Sequence, residues 1–261
     1  MSSSRNNGDC FEYSLIQLLV RNNYKFYDVQ SEKRHIVLSN KCKQSEMNLT
    51  KLKIPFNLKD FNQIRIMCDN NGTTGNSNDF EIYNMENNKK CGISLKRNNM
   101  SIKAPRANSF GKCLPNDYTI KYKQLNDEWY QKFRSDDLTK FNKCTRETIH
   151  NFYELFIDLI VQYITKDNIF NIIKFCTSLD YTDYIIHSSK NGCFTIYINK
   201  FKPSTLDNFK VVKKQYNTFL LHFDKYCLSF RLHTASSKIT PTLSLKYDVK
   251  YIKDSPLQIV K

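Results

Sequence analysis

The sequence predicts one α/β (α+β) domain over residues 1–261, with a mixed central sheet flanked by helices. Three observations lead there. A helical apolar stripe opens the chain, a polar-turn hairpin follows near residue 80, and a long helical block separates that hairpin from a second run of strands. A chain of 261 residues can bury a sizeable core as one large domain or two small ones. No repeat, low-complexity tract or linker divides it, so a single domain is expected.

Asp9 is placed to cap a helix over residues 10–20, where Phe11, Leu15, Leu18 and Leu19 form an apolar stripe and Asn22-Asn23 ends the run. Residues 24–58 are mixed, with a strand expected near 35–38. Residues 69–78 are rich in Asn, Gly, Thr and Ser and read as a loop in which Asp69 is a turn former. Asp79-Phe80-Glu81-Ile82 and Cys91-Gly92-Ile93-Ser94-Leu95-Lys96 then read as two strands joined by Asn87-Asn88-Lys89-Lys90. Residues 102–106 are basic and polar, unlike a core strand. Residues 123–177 look helical in at least two segments. Ile149, Phe152, Tyr153, Phe156, Leu159, Ile160 and Tyr163 keep helical spacing and are core rather than a binding box, and His150 beside them is structural. Residues 184–186, 194–198, 218–222, 228–233 and 243–251 read as strands.

The net charge of +15 and pI near 9.3 favour polyanionic partners, because lysine and arginine that neutralise phosphates release condensed counterions. The abundance of Asn, Lys, Ile and Tyr also fits an A/T-rich coding genome, which accounts for part of that charge. Nine cysteines are scattered without CxxC or Cys/His spacing, so no zinc site is expected. Their odd number and the polar start Met1-Ser2-Ser3-Ser4-Arg5 point to reduced thiols in a cytoplasm. The most apolar window, residues 152–164, carries Glu154, Asp158 and Gln162 and is too short to span a bilayer, so no membrane partner is expected. No P-loop, GxGxxG, HNH-like histidine cluster or nucleophile elbow is present.

The hairpin carries the chemistry. Alternation puts Asp79 and Glu81 on one face of their strand, and Ser94 and Lys96 on one face of theirs. If the strands pair, carboxylates and an ammonium converge: a carboxylate can hold Mg²⁺, and a lysine can meet charge developing on phosphate. A solvent-facing hairpin with unrelated charges fits the same spacing. Glu12, on the first helix, can supply a further carboxylate or simply favour the helix dipole. Ser94 stands where a second acid is expected two residues before the lysine, so Glu81, Glu86 or Glu12 must supply the missing charge. Asp79, Glu81 and Glu12 are the candidate metal ligands, and with Ser94 and Lys96 the candidate catalytic set. Lys103 and Arg106 could touch backbone phosphates, though in so lysine-rich a chain each alone reads first as a solvated surface charge. Arg231 opens a strand end, Arg231-Leu232-His233-Thr234-Ala235-Ser236-Ser237-Lys238, whose small polar residues let a backbone approach a groove. Bidentate contact of arginine with guanine O6 and N7 is the commonest specific base contact. A polar hairpin turn, or an Arg231 held in an ion pair beneath the sheet, fits the same residues.

Asp79-Phe80-Glu81-Ile82, Gly92-Ile93-Ser94-Leu95-Lys96-Arg97-Asn98-Asn99 with Ile102-Lys103, and Leu228-Ser229-Phe230-Arg231 through Lys238 resemble the HaeIII family of type II restriction endonucleases. Phe11-Glu12-Tyr13 resembles that family's opening helix. The resemblance runs through most of the chain in order, with the helical middle alike only in character. It implies a restriction-endonuclease-like PD-(D/E)XK core, Mg²⁺-dependent cleavage of double-stranded DNA at a short G/C-rich palindrome (GGCC), and a companion DNA methyltransferase; a homodimer is compatible with it. Asp79 and Lys96 would be the core Asp and Lys. The DNA-contact set would comprise Arg97, Asn98, Lys103, Arg106, Arg231, His233, Ser236, Ser237 and Lys238. A DNA-binding protein without catalysis, and a nuclease of structured or damaged DNA, are the competing readings.

Overall fold

The computed structural model describes residues 3–54, 56–67, 76–98, 101–199, 206, 208–253 and 257–259. Asp69 and Asn99 lie outside the described residues. The chain divides into two compact units, one formed by Met1–Met100, Ser178–Phe201 and Pro256–Lys261, the other by Ser101–Thr177 and Lys202–Ser255. The mixed α and β content expected from the sequence is present in both.

The first unit carries α1 (Ser3–Arg21), β1 (Lys25–Phe26), α2 (Val29–Cys42), β2 (Gln63–Ile66), β3 (Phe80–Asn84) and β4 (Lys89–Arg97). After residues 101–177 it continues with β5 (Tyr184–Ser188), β6 (Phe194–Asn199) and β11 (Leu257–Ile259). They form a seven-stranded mixed sheet in the order β1-β2-β3-β4-β5-β6-β11. β2, β3 and β4 are an antiparallel meander, and β5 runs parallel to β4. Phe80, Ile82, Cys91, Ile93 and Ile186 turn one face toward Phe11, Leu15, Ile16 and Leu19 of α1 and Leu38 of α2, and these side chains make the core of the unit.

Two local expectations give way here. The opening helix starts at Ser3, so Asp9 lies inside it and pairs with Lys41 rather than capping. Residues 35–38 are helical, not strand. Asp28 N-caps α2, accepting from Ser31 N–H at 2.8 Å and Ser31 Oγ at 2.7 Å, and Ser31, Leu38 and Cys42 bury one helical stripe.

The second unit holds α3 (Asn116–Ser135), α4 (Arg146–Tyr163) and α5 (Ile169–Thr177), then β7 (Phe209–Gln215), β8 (Thr218–Phe223), β9 (Tyr226–Thr234) and β10 (Leu245–Lys253) as an antiparallel sheet in the order β10-β9-β8-β7. Phe219 and Phe230 stack at 4.5 Å between centroids, and Phe110 meets Tyr247 edge-on at 5.3 Å. Residues 102–106 are not a solvated basic stretch. They run along β10, with bridges Lys103↔Val249 and Arg106↔Lys246, and bury Ile102 and Lys103.

Gly92 of β4 is needed for close approach. A Cβ there would lie 2.0 Å from the Tyr181 carbonyl oxygen and 2.4 Å from Asn78 Nδ2. Those groups are fixed, since Asn78 Nδ2 donates to the Tyr181 carbonyl at 2.9 Å and Asn78 Oδ1 accepts from Thr182 Oγ1 at 2.7 Å. Gly92→Ala is therefore expected to destabilise by about 1–3 kcal/mol in denaturant titration; an unchanged midpoint would contradict this packing.

Candidate active site

The β3–β4 hairpin forms as the alternation demands. Phe80 faces Ile93, Glu81 faces Gly92, and Asp79 donates its N–H to the Ile93 carbonyl at 2.9 Å. With side chains alternating, this register turns Asp79, Glu81, Tyr83, Lys90, Ser94 and Lys96 to the sheet face opposite the helix-covered core. The carboxylates and the lysine thus share a face, and Asp79 and Ser94 meet directly. Asp79 Oδ2 accepts from Leu95 N–H at 2.5 Å and from Ser94 Oγ at 3.4 Å, and Ser94 is buried.

Lys96 follows two residues further on the same strand. Burial pushes its ammonium below the usual lysine range, and the Asp79 carboxylate opposes that shift. A partly desolvated lysine beside a carboxylate can hold a phosphate oxygen as the ammonium, and as the amine it can accept a proton. His187, which no sequence signal singled out, faces Lys96 across the parallel β4–β5 pair. Burial holds its imidazole below the usual range, and its buried Nε2 has no hydrogen-bond partner among the described residues.

Glu81 belongs to a different arrangement. Its side chain is 1% exposed, ion-pairs with Lys90 at 2.9 Å, and accepts from Tyr83 Oη, from Asn78 Nδ2 at 3.2 Å and from Asn76 Nδ2 at 3.4 Å. Burial alone would raise its carboxyl. The hydrogen bonds from Tyr83, Lys90 and Asn78 outweigh burial and hold it below the usual glutamate range. So satisfied a carboxylate acts as a structural anchor for Asn78, Tyr83 and Lys90. The depressed folded pKa means that the stability Glu81 contributes is present above the unfolded glutamate value. It is lost as pH falls through the folded one. Glu81→Gln should therefore cost about 1–3 kcal/mol at neutral pH and progressively less in acid, measured by melting across pH; a pH-independent difference would contradict the assignment.

Glu12 lies within α1, well past its first turn, and approaches Arg34 of α2 at 3.9 Å. Among the described residues no three His, Cys, Asp or Glu side chains group as a metal site, so Asp79, Glu81 and Glu12 do not form a three-carboxylate shell. What remains fits a different demand. Mg²⁺ keeps several waters and is held through one or two carboxylates plus substrate phosphates, so Asp79, beside Lys96, is the carboxylate here that could hold it.

The expected DNA contacts fall in both units. In the first, Arg97 ends β4, and Asn98 takes a left-handed conformation (φ 61°) with its N–H donated to the Ser188 carbonyl at 2.9 Å. In the second, Lys103 is removed from the phosphate-contact set: it is 5% exposed, and its Nζ donates to the Phe175 carbonyl at 2.9 Å and sits over the Phe175 ring. Arg106 is exposed, with Nη1 donating to Ser244 Oγ at 2.6 Å. Arg231 is paired with Asp248 at 3.2 Å, but at the surface rather than beneath the sheet, its side chain being 60% exposed. His233 Nε2 lies 3.2 Å from the same carboxylate. His233 and Arg231 hold the Asp248 carboxyl below the usual range against the effect of burial. Ser236, Ser237 and Lys238 form a turn in which Ser236 Oγ accepts from Lys238 N–H at 3.1 Å; Ser237 and Lys238 are exposed.

Among the described residues no helix is long and apolar enough to cross a membrane. Comparison with protein-family models, with curated proteins and with solved structures gives no match.

Proposed function

We propose that this chain is a type II restriction endonuclease that hydrolyses double-stranded DNA at a short G/C-rich palindrome, with Mg²⁺ as cofactor, a PD-(D/E)XK-like core in the first unit and a companion methyltransferase protecting the same site. The observation that carries the reading is the hairpin register, which joins Asp79 to the Ser94-Leu95 backbone and puts Lys96 on the same face. The strand order supports it: two helices with the short β1 between them, an antiparallel meander, an excursion through helices, then a strand parallel to the last of the meander. The palindrome, GGCC, and the methyltransferase rest on the HaeIII-family resemblance alone.

Bound Mg²⁺ would neutralise charge on the scissile phosphate and lower the pKa of a coordinated water. Asp79 would hold it, fixed by the Leu95 N–H and the Ser94 hydroxyl. Lys96 would meet the phosphate oxygens. In its amine form it could instead take the proton of the attacking water, with the leaving sugar oxygen taking a proton from solvent as its P–O bond breaks. Ca²⁺, larger and more loosely coordinated, should support binding with little cleavage. Cleavage is expected with Mg²⁺ or Mn²⁺ and none in excess chelator, followed by gel electrophoresis of linear duplex; full activity in chelator would contradict the proposal.

One observation favours a second reading. The sequestration of Glu81 and the lack of a three-acid group among the described residues suit a DNA-binding protein that keeps the nuclease-like sheet without catalysis. Binding without hydrolysis under every divalent cation would select it.

A further inference from the structure

We propose that Asp248 is a positioning residue that holds the Arg231 guanidinium in one orientation for contact with a base edge of double-stranded DNA, a proposal that rests on the endonuclease reading above. β9 and β10 pair so that Asp248 stands directly opposite Arg231. One carboxylate oxygen accepts from Arg231 Nη2 at 3.2 Å; the other lies 3.2 Å from His233 Nε2, which makes no hydrogen bond among the described residues, so the arginine is the group that the carboxylate holds.

The exposures divide the roles. The Arg231 side chain is 60% exposed and that of Asp248 is 12% exposed, so the guanidinium reaches solvent from an anchor held in the sheet. Guanidinium has five N–H donors, and contact at Nη2 leaves others free for a bidentate base contact. A guanidinium already held in place loses less rotamer freedom when it binds.

Charge makes the position informative. Across β7, β8, β9 and β10, Asp248 is the only acid, among Lys210, Lys213, Lys214, Arg231, Lys246, Lys250 and Lys253, of which Lys213 is already paired with Glu154 and Asp158 of α4. By charge alone a carboxylate on a basic sheet weakens attraction to any phosphate backbone. An ion pair with so exposed an arginine adds little stability. Removing the carboxylate should therefore strengthen or spare general DNA affinity while weakening discrimination between sequences. Those effects have opposite signs and can be told apart.

The test compares wild type, Asp248→Asn, Asp248→Glu, Arg231→Ala and the Arg231→Ala/Asp248→Asn double variant, all bound in Ca²⁺. One probe is a short duplex carrying the sequence found at the ends of wild-type digestion fragments; the other carries that sequence scrambled. Asp248→Asn should lower the ratio of the two affinities about tenfold, the order of one bidentate base contact, without weakening the scrambled complex. Asp248→Glu should restore part of the ratio, and Asp248→Asn should change it no further once Arg231 is alanine. An unchanged ratio in Asp248→Asn, or the same factor lost on both duplexes, overturns the positioning role. So does a wild-type ratio in Arg231→Ala, which leaves the endonuclease reading intact. Wild type that yields no fragments with common ends defeats that reading and this proposal together.

Discussion

Lys96→Ala is expected to abolish DNA hydrolysis while the protein stays folded and still binds duplex. Of the two lysines on the Asp79 face, Lys90 is paired with Glu81 and Lys96 is the one whose ammonium burial holds below the usual range; alanine there leaves neither a charge for the phosphate nor an amine for the water proton. Folding should improve rather than suffer. A lysine whose folded pKa lies below its unfolded one is penalised below both values, and the penalty fades as pH rises from the folded pKa toward the ordinary lysine value. Lys96→Met should therefore melt higher than wild type at neutral pH, with the gap closing in the alkaline range. A loss of melting temperature together with activity would make Lys96 structural. A variant cutting at near the wild-type rate would move the active site elsewhere.

Asp79 should give the second large effect, and two substitutions separate its roles. Its Oδ2 accepts the Leu95 N–H, so Asp79→Ala leaves that donor unpaired and should cost about 1–3 kcal/mol in addition to activity. Asp79→Asn keeps an acceptor oxygen for Leu95 but loses the charge a divalent cation needs. It should fold with near wild-type stability and fail to cleave at any Mg²⁺ concentration. Activity in Asp79→Asn would remove this residue from metal binding.

The hairpin was legible because alternation runs through both strands and puts apolar Phe80, Ile82, Cys91 and Ile93 on one face, but its turn lies two residues earlier than the expected Asn87-Asn88-Lys89-Lys90: residues 85–88 turn, and Lys89 and Lys90 already pair with Asn84 and Tyr83 in β4. The fate of Glu81 was also within reach of the alternation rule, since Tyr83 and Lys90 share its face, although the depth of its burial was not. Lys103 was illegible for a physical reason. Its burial comes from pairing with Val249, a partner some 146 positions away that no local pattern announces. Residues 35–38 misled because Ile36, Val37 and Leu38 have strand-like propensity, whereas the Asp28 cap and the stripe through Ser31, Leu38 and Cys42 select a helix. His187 carries no sequence mark; only the parallel β4–β5 register brings it beside Lys96.

The most direct test is digestion of unmethylated plasmid by the purified chain in Mg²⁺, resolved on a gel and sequenced at the fragment ends. The account predicts a discrete ladder whose ends share one short palindrome, formed by wild type and by neither Lys96→Ala nor Asp79→Asn. Random nicking, or plasmid left intact by the folded wild-type protein, would contradict it.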